Sequence, residues 1–269
     1  MSEENILDEL EKFYLNNPIK VWVPSLQAEC NFRPISVGEQ KTLLDIENNK
    51  GSQLEYIVEG PRVLNSLIKA TCLEPEKAEQ FTILDRPAIL LQSKYNVKSD
   101  IVLRINEDLA EVNLKQFVDK LSKKKLGKLK LHSMVNVHNF LIHLRVPTLK
   151  SDEFYNGYFL SLYEGREDVS MDEATGDAFV AEMSKFIQKI VFETSTKAEI
   201  FDFDDVSVDN FNRNMELLGR LPSAVVTRVT EFISQIKEYQ VNLVTEKITV
   251  NGKSKNIFLD IDLPFFTTL

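Results

Sequence analysis

Cysteine is scarce in this chain of 269 residues: Cys30 and Cys72 are the only two, and no metal-binding or redox spacing surrounds them. Two reduced, buried thiols are the expectation. There is no Ser-His-Asp order, G-x-S-x-G, H-E-x-x-H or Gly-rich phosphate loop. That removes the recognisable hydrolase, metalloprotease and nucleotide-binding classes. No run of 18 apolar residues exists, so no membrane span is expected. Met1-Ser2-Glu3-Glu4-Asn5 lacks the positive region of a signal peptide, and the cytoplasm of the producing cell is the expected compartment. A basic excess is also missing. Lys and Arg number 32 against 41 Asp and Glu, for a net charge of −9. Specific nucleic-acid binding is therefore not expected, because counterion release needs a basic face.

What is present is enough for a core: 43% of residues are hydrophobic and 27% charged, in a length that suits one large domain or two small ones. Ile19, Val21 and Val23 alternate as a strand, Pro24-Ser25-Leu26-Gln27 turns, and Cys30 and Phe32 return until Pro34 stops the ladder. Ser36-Val37-Gly38-Glu39 is a capping box, opening a helix through Leu43, Leu44 and Ile46. Ahead of it, Ser2 caps a short helix with Ile6, Leu7, Leu10 and Phe13 on one face. Behind it come a helix from Tyr56 to Cys72, a loop at Glu74-Pro75-Glu76, and a helix opened by Asp85-Arg86-Pro87.

From about residue 100 the period becomes two. Ile101, Leu103 and Ile105 form one strand face, Val112, Leu114 and Gln116 another, and Val135 to Pro147 reads as one long strand. The last part returns to helices. Ser170-Met171-Asp172-Glu173 is a second capping box, starting a helix that carries Phe179, Val180, Met183, Phe186, Ile187, Ile190 and Val191. Ser207 or Asp209 caps a helix with Phe211, Met215 and Leu218, and Ala224 to Tyr239 forms the next. A hairpin around Asn251-Gly252 closes the chain. The expected fold is α+β and mainly helical, with an N-terminal β-hairpin, a mid-chain antiparallel sheet and a C-terminal β-hairpin. The expected organisation is 1–98, a sheet insertion at 99–150, and 151–269.

Two motif-like strings fail. Gly252-Lys253-Ser254 imitates the end of a P-loop, but Lys247 stands where its first Gly belongs and no helix follows. Asp202 to Asp209 has the acid density of a calcium loop, but Ser207 replaces its Gly and Arg213 its final Glu. His132, His138 and His143 do not converge on one strand face, so no metal and no cofactor are expected.

Candidate contact residues remain. Lys120 to Lys130 holds six lysines in eleven residues, Lys123, Lys124 and Lys125 among them. It reads either as a docking patch for an acidic partner or as a solvated connection guarding a sheet edge. Tyr155, Tyr158, Phe159 and Tyr163 recur at helical spacing, as core or as a groove for a partner helix. Phe265 and Phe266 follow Pro264 and read as an aromatic anchor, either to the chain's own core or to a partner.

Phe32-Arg33-Pro34-Ile35-Ser36-Val37-Gly38-Glu39-Gln40-Lys41 resembles the opening of the baseplate hub proteins of T4-like contractile-tailed phages. The Asp85-led helix after Thr82-Ile83-Leu84 is similar too, as are the Asp-rich entry at 202–209, the paired helices around Leu221-Pro222, and Asp262-Leu263-Pro264-Phe265-Phe266. The resemblance covers about half the chain, at its two ends, and does not extend to the Lys-rich stretch. It implies a non-enzymatic structural subunit of the hub, or an assembly chaperone that holds a hub or tape-measure protein and then leaves. Hub and tape-measure proteins are the partners implied, and a homo-oligomer is a further form such a chain can take. The implied place is the host cytoplasm during assembly and, for the subunit, the baseplate of the virion tail. A motif-less hydrolase or transferase is the remaining reading, which carboxylates converging in a deep pocket would favour.

Overall fold

The computed structural model describes residues 3–48, 53–105, 108–127, 129–163, 171–193, 197–204, 207–250, 253–261 and 265. It is 52% helical and 26% strand, an α+β fold with the N-terminal hairpin, mid-chain antiparallel sheet and C-terminal hairpin expected. The chain forms two compact units, one of residues 1–126 and 240–269, the other of 127–239.

The first unit is built on the hairpin of β1 (Ile19–Val23) and β2 (Ala28–Phe32), paired with Val21 opposite Cys30. Val21, Val23, Cys30 and Phe32 all point inward, as the period-two pattern requires. Helix α5 (Arg86–Val97) lies against this hairpin. Trp22 N–H donates to Gln92 Oε1 at 2.8 Å, and Gln92 Nε2 donates back to Trp22 O at 2.9 Å. The hairpin turn is held by Asp85, which has no exposed surface. Ser25 N–H donates to its Oδ1 at 2.6 Å, and Ser25 Oγ, Thr82 N–H and Thr82 Oγ1 donate to its Oδ2. Burial pushes the Asp85 pKa up, against those four bonds.

The far end of β2 joins helix α3 (Gln53–Thr71): Phe32 bridges Cys72, Arg33 N–H donates to Thr71 O, and Leu73 N–H donates to Asn31 O. Phe32 stacks on Phe81 at 5.9 Å between ring centroids. Cys30 and Cys72 are both buried free thiols, and burial pushes Cys30 to about 11, which keeps it unreactive. The capping box opens helix α2 (Val37–Asn48), with Ser36 and Glu39 bonded to each other's N–H groups. Arg33 adds a two-pronged bond to Glu39, at 2.9 and 2.6 Å.

The rest of this unit departs from the sequence reading in three places. Glu74-Pro75-Glu76 opens a short helix, α4 (Pro75–Ala78), rather than a loop. β3 (Asp100–Ile105) and β4 (Asp108–Asn113) make a two-stranded sheet of their own. Lys115–Leu121 is a helix, α6, because Leu114, Phe117 and Leu121 recur at helical spacing and all three are buried. The expected first helix is α1 (Glu3–Asn16), on which Leu10, Phe13 and Leu15 are exposed. The C-terminal hairpin is β9 (Thr245–Val250) with β10 (Lys253–Phe258); its Asn251-Gly252 turn lies outside the described residues.

The second unit has an antiparallel four-stranded sheet in the order β5 (His132–Val137), β6 (Phe140–Arg145), β7 (Ile187–Glu193), β8 (Ala198–Asp202). The expected long strand at 135–147 breaks at His138-Asn139, where His138 takes a positive φ of 52° without any glycine to signal it. The turn brings Val135 opposite Ile142 on the inward face. The expected helix through Ile190 and Val191 ends at Phe186: α8 is Met171–Phe186, and β7 follows without a break. Helix α7 (Leu149–Ser161) is capped by Thr148, and α9 (Val208–Gly219) by Ser207, one of the two caps expected for it. Ser170 of the second capping box lies outside the described residues. Between α7 and α8, the buried Lys185 ammonium bonds Asp152 at 2.9 Å and Asn156 at 2.6 Å. Helix α10 (Ser223–Leu243) follows α9, and its residues from Gln240 belong to the first unit.

The Arg33–Glu39 bond makes stability depend on pH. Burial opposes the Glu39 charge, but Arg33 and Ser36 outweigh it and hold the pKa at about 2, below the usual 4.5. A lowered folded pKa means that this contribution is complete above the unfolded value and is lost as pH falls through the folded one. Glu39→Gln is expected to cost about 2 kcal/mol at neutral pH, with the gap to wild type closing as pH drops from about 5 to about 2. Denaturant titrations across that range check it; a constant gap would show that the pair contributes nothing.

Candidate partner-binding site

The lysine-rich stretch meets the C-terminal hairpin within the first unit. Lys120 lies in the last turn of α6, and Lys123, Lys124 and Lys125 follow it. Lys120 and Lys124 both pair with Glu246 of β9, Lys124 at 2.6 Å, and the Glu246 side chain is 8% exposed. Lys124 Nζ also donates to the carbonyls of Asn242 at 2.8 Å and of Leu243 and Thr245 at 3.0 Å. The carbonyls that end α10 have no partner within the helix, and a cation there meets the negative end of the helix dipole. Burial opposes the charge on Glu246, but the two lysines keep its pKa below the usual value. Lys124 therefore acts as a helix cap, while Lys123 and Lys125 stay exposed.

Glu246 itself escaped the sequence reading. The signal was its parity: Val244, Glu246 and Ile248 alternate inward, and all three are buried. A carboxylate at an inward strand position needs a cation, and the nearby excess of lysine supplies it.

The aromatic residues divide as well. In the second unit, Tyr155 and Phe159 on α7 are buried, at 1% and 2% exposure. Tyr155 OH donates to Phe203 O at 3.2 Å, and its ring lies 5.5 Å from that of Phe211. Tyr158 is half-buried against Phe211 at 4.5 Å, and its OH accepts from Asn212. Tyr163, past the end of α7, is half-buried and donates its OH to Asp177. Tyr158 and Tyr163 are thus the cluster members with surface to offer. In the first unit, Phe265 is buried with its ring 6.0 Å from Lys94 Nζ, and Phe266 lies outside the described residues.

The histidines do not form a site. His132 and His143 lie on one face of the sheet and His138 in a turn. Among the described residues no group of three His, Cys, Asp or Glu is placed to hold a metal ion. Nor is any described helix long and apolar enough to cross a membrane.

A family described as T4 bacteriophage base plate protein matches residues 16–258. The match runs through the middle of the chain, lysine-rich stretch included, so it reaches well beyond the two ends where the resemblance was read. It stops short of Asp262-Leu263-Pro264-Phe265-Phe266. No curated protein and no solved structure matches the chain.

Within the matched stretch the three adjacent lysines carry different expectations. Lys124→Gln removes a cap and a partner of a buried carboxylate and is expected to cost about 1–2 kcal/mol. Lys123→Gln and Lys125→Gln are expected to stay within about 0.5 kcal/mol of wild type. Thermal or denaturant unfolding of the three single variants measures this, and equal effects at all three positions would contradict the capping role.

Proposed function

The chain belongs to the T4 bacteriophage base plate protein family, and on that premise we propose that it stays in the particle as a structural subunit of the baseplate hub. A structural or assembly role in the phage base plate follows from the family itself. The match across residues 16–258 is the observation that carries the reading. The hub assignment draws on the likeness of Phe32 to Lys41 to the opening of hub proteins.

Contact is the mode of action that suits these residues. The family description names a part of the base plate and no reaction. Lys123, Lys125, Tyr158 and Tyr163 supply charge and aromatic surface for neighbouring hub or tape-measure proteins. Lys124 and Phe265 in the first unit, and Tyr155 and Phe159 in the second, each support their own unit from within rather than touching a partner directly.

Quantitative mass spectrometry of purified phage particles tests the reading. A structural subunit is expected at a fixed ratio to other baseplate proteins. Abundance in infected cells with absence from finished particles would instead identify an assembly chaperone.

A further inference from the structure

The lysines that follow α6 are only part of a larger basic surface. Within the first unit α6 packs against β9, and Lys120 and Lys124 tie the two together through Glu246. The hairpin brought there carries Lys247, Lys253 and Lys255. Residues 114–126 and 245–258 hold eight lysines, two acids and no arginine, in a chain of net charge −9. The two segments are far apart in sequence, and only the fold adds their charges together.

Little of that charge is spent inside the molecule. Of the two acids, Glu246 is buried and already shared by Lys120 and Lys124. Asp119 is exposed on α6. Lys115, Lys123, Lys125 and Lys247 are exposed, and Lys255 is half-buried. Lys255 sits opposite Ile248, on the strand face that also carries Glu246. Among the described residues, no carboxylate pairs with any of these five lysines. Like charges gathered this way repel one another, and an anionic partner relieves the repulsion.

Two observations favour a protein carboxylate over a nucleic acid. Outside these segments the chain has 24 Lys or Arg against 39 Asp or Glu, so a long phosphate strand would run from the patch onto acidic surface. Arginine, the residue suited to two-pronged phosphate contacts, is missing, and no aromatic interleaves Lys120 to Lys125 for base stacking. A short run of carboxylates stays within the patch. Glu246, held between two of its lysines, already shows the mode of contact.

We propose that the lysines after α6 and the C-terminal hairpin form one docking surface for a short, carboxylate-rich segment of another protein. Lys123, Lys125 and Lys255 meet the incoming carboxylates, while Lys120, Lys124 and Glu246 hold the two elements in place. The inference rests on the reading that the chain acts by contact, and it names the chemistry of the partner.

The test is fluorescence anisotropy of a short, capped oligoglutamate peptide with the purified full-length protein, beside oligolysine and an oligothymidylate of the same charge as the oligoglutamate. Oligoglutamate is expected to bind, more weakly as salt rises, and oligolysine is not. Lys123→Gln with Lys125→Gln is expected to weaken binding about fivefold or more, and so is Lys247→Gln with Lys255→Gln. Lys20→Gln with Lys41→Gln removes the same charge from exposed positions elsewhere and is expected to leave affinity within about twofold. No binding of oligoglutamate would overturn the proposal, as would equal weakening by the Lys20 and Lys41 pair. Wild-type affinity in the hairpin pair would show that the two segments are not one surface and overturn it too. Tighter binding of oligothymidylate than of oligoglutamate would make the patch a phosphate site instead. Absence of the chain from phage particles would overturn the subunit reading and leave these binding results standing, so the two failures are distinguishable.

Discussion

One buried carboxylate sets the arrangement of the first unit. Asp85 accepts from the backbone N–H groups of Ser25 and Thr82 and from both their hydroxyls. The two N–H groups can only donate, so they need an acceptor on each side-chain oxygen. That requirement fixes the β1–β2 turn against the first turn of α5. Gln92 then repeats the tie two turns along the same helix, clasping both backbone groups of Trp22. Arg86 bonds Asn65 at 2.7 Å and draws α3 to the same helix. The hairpin, α3 and α5 are thus joined by specific polar bonds around an apolar centre of Phe32, Phe81, Leu84 and Leu90.

This arrangement explains what the family-like residues do. Phe32 stacks in the core, Arg33 and Glu39 brace the entry to α2, and Asp85 locks the turn. All of them serve the fold. A motif made of such residues identifies the architecture and is silent about the partner, which is why the same stretch could place the chain among base plate proteins without pointing to a contact surface. Surface chemistry lies elsewhere: in exposed lysines next to a capping lysine and in half-buried tyrosines.

Elements with local signals were legible in the sequence. The N-terminal hairpin had alternation and a proline stop, α2 its capping box, and α9 its Ser207 cap. Three features depended on contacts that no local pattern announces. His138 enters a positive φ without glycine, so β5 and β6 looked like one strand. Ile187, Ile190 and Val191 continue the apolar spacing of α8, but pairing with β6 and β8 makes them a strand, and tertiary pairing outweighs propensity there. Lys124 looked like its neighbours Lys123 and Lys125. Only the chain end brought 118 residues later, to the carbonyl of Asn242, separates its role from theirs.

The central claim is that Asp85 holds the hairpin to α5, and Asp85→Asn tests it most directly. Asn keeps the shape but offers one acceptor oxygen and turns an NH2 group toward an N–H or hydroxyl donor. Chemical denaturation of this variant, with hydrogen exchange read at the β1 and β2 amides, is the measurement. The account predicts a loss of about 3 kcal/mol or more and faster exchange at Val21 and Cys30. Stability within about 0.5 kcal/mol of wild type and unchanged hairpin protection would contradict it.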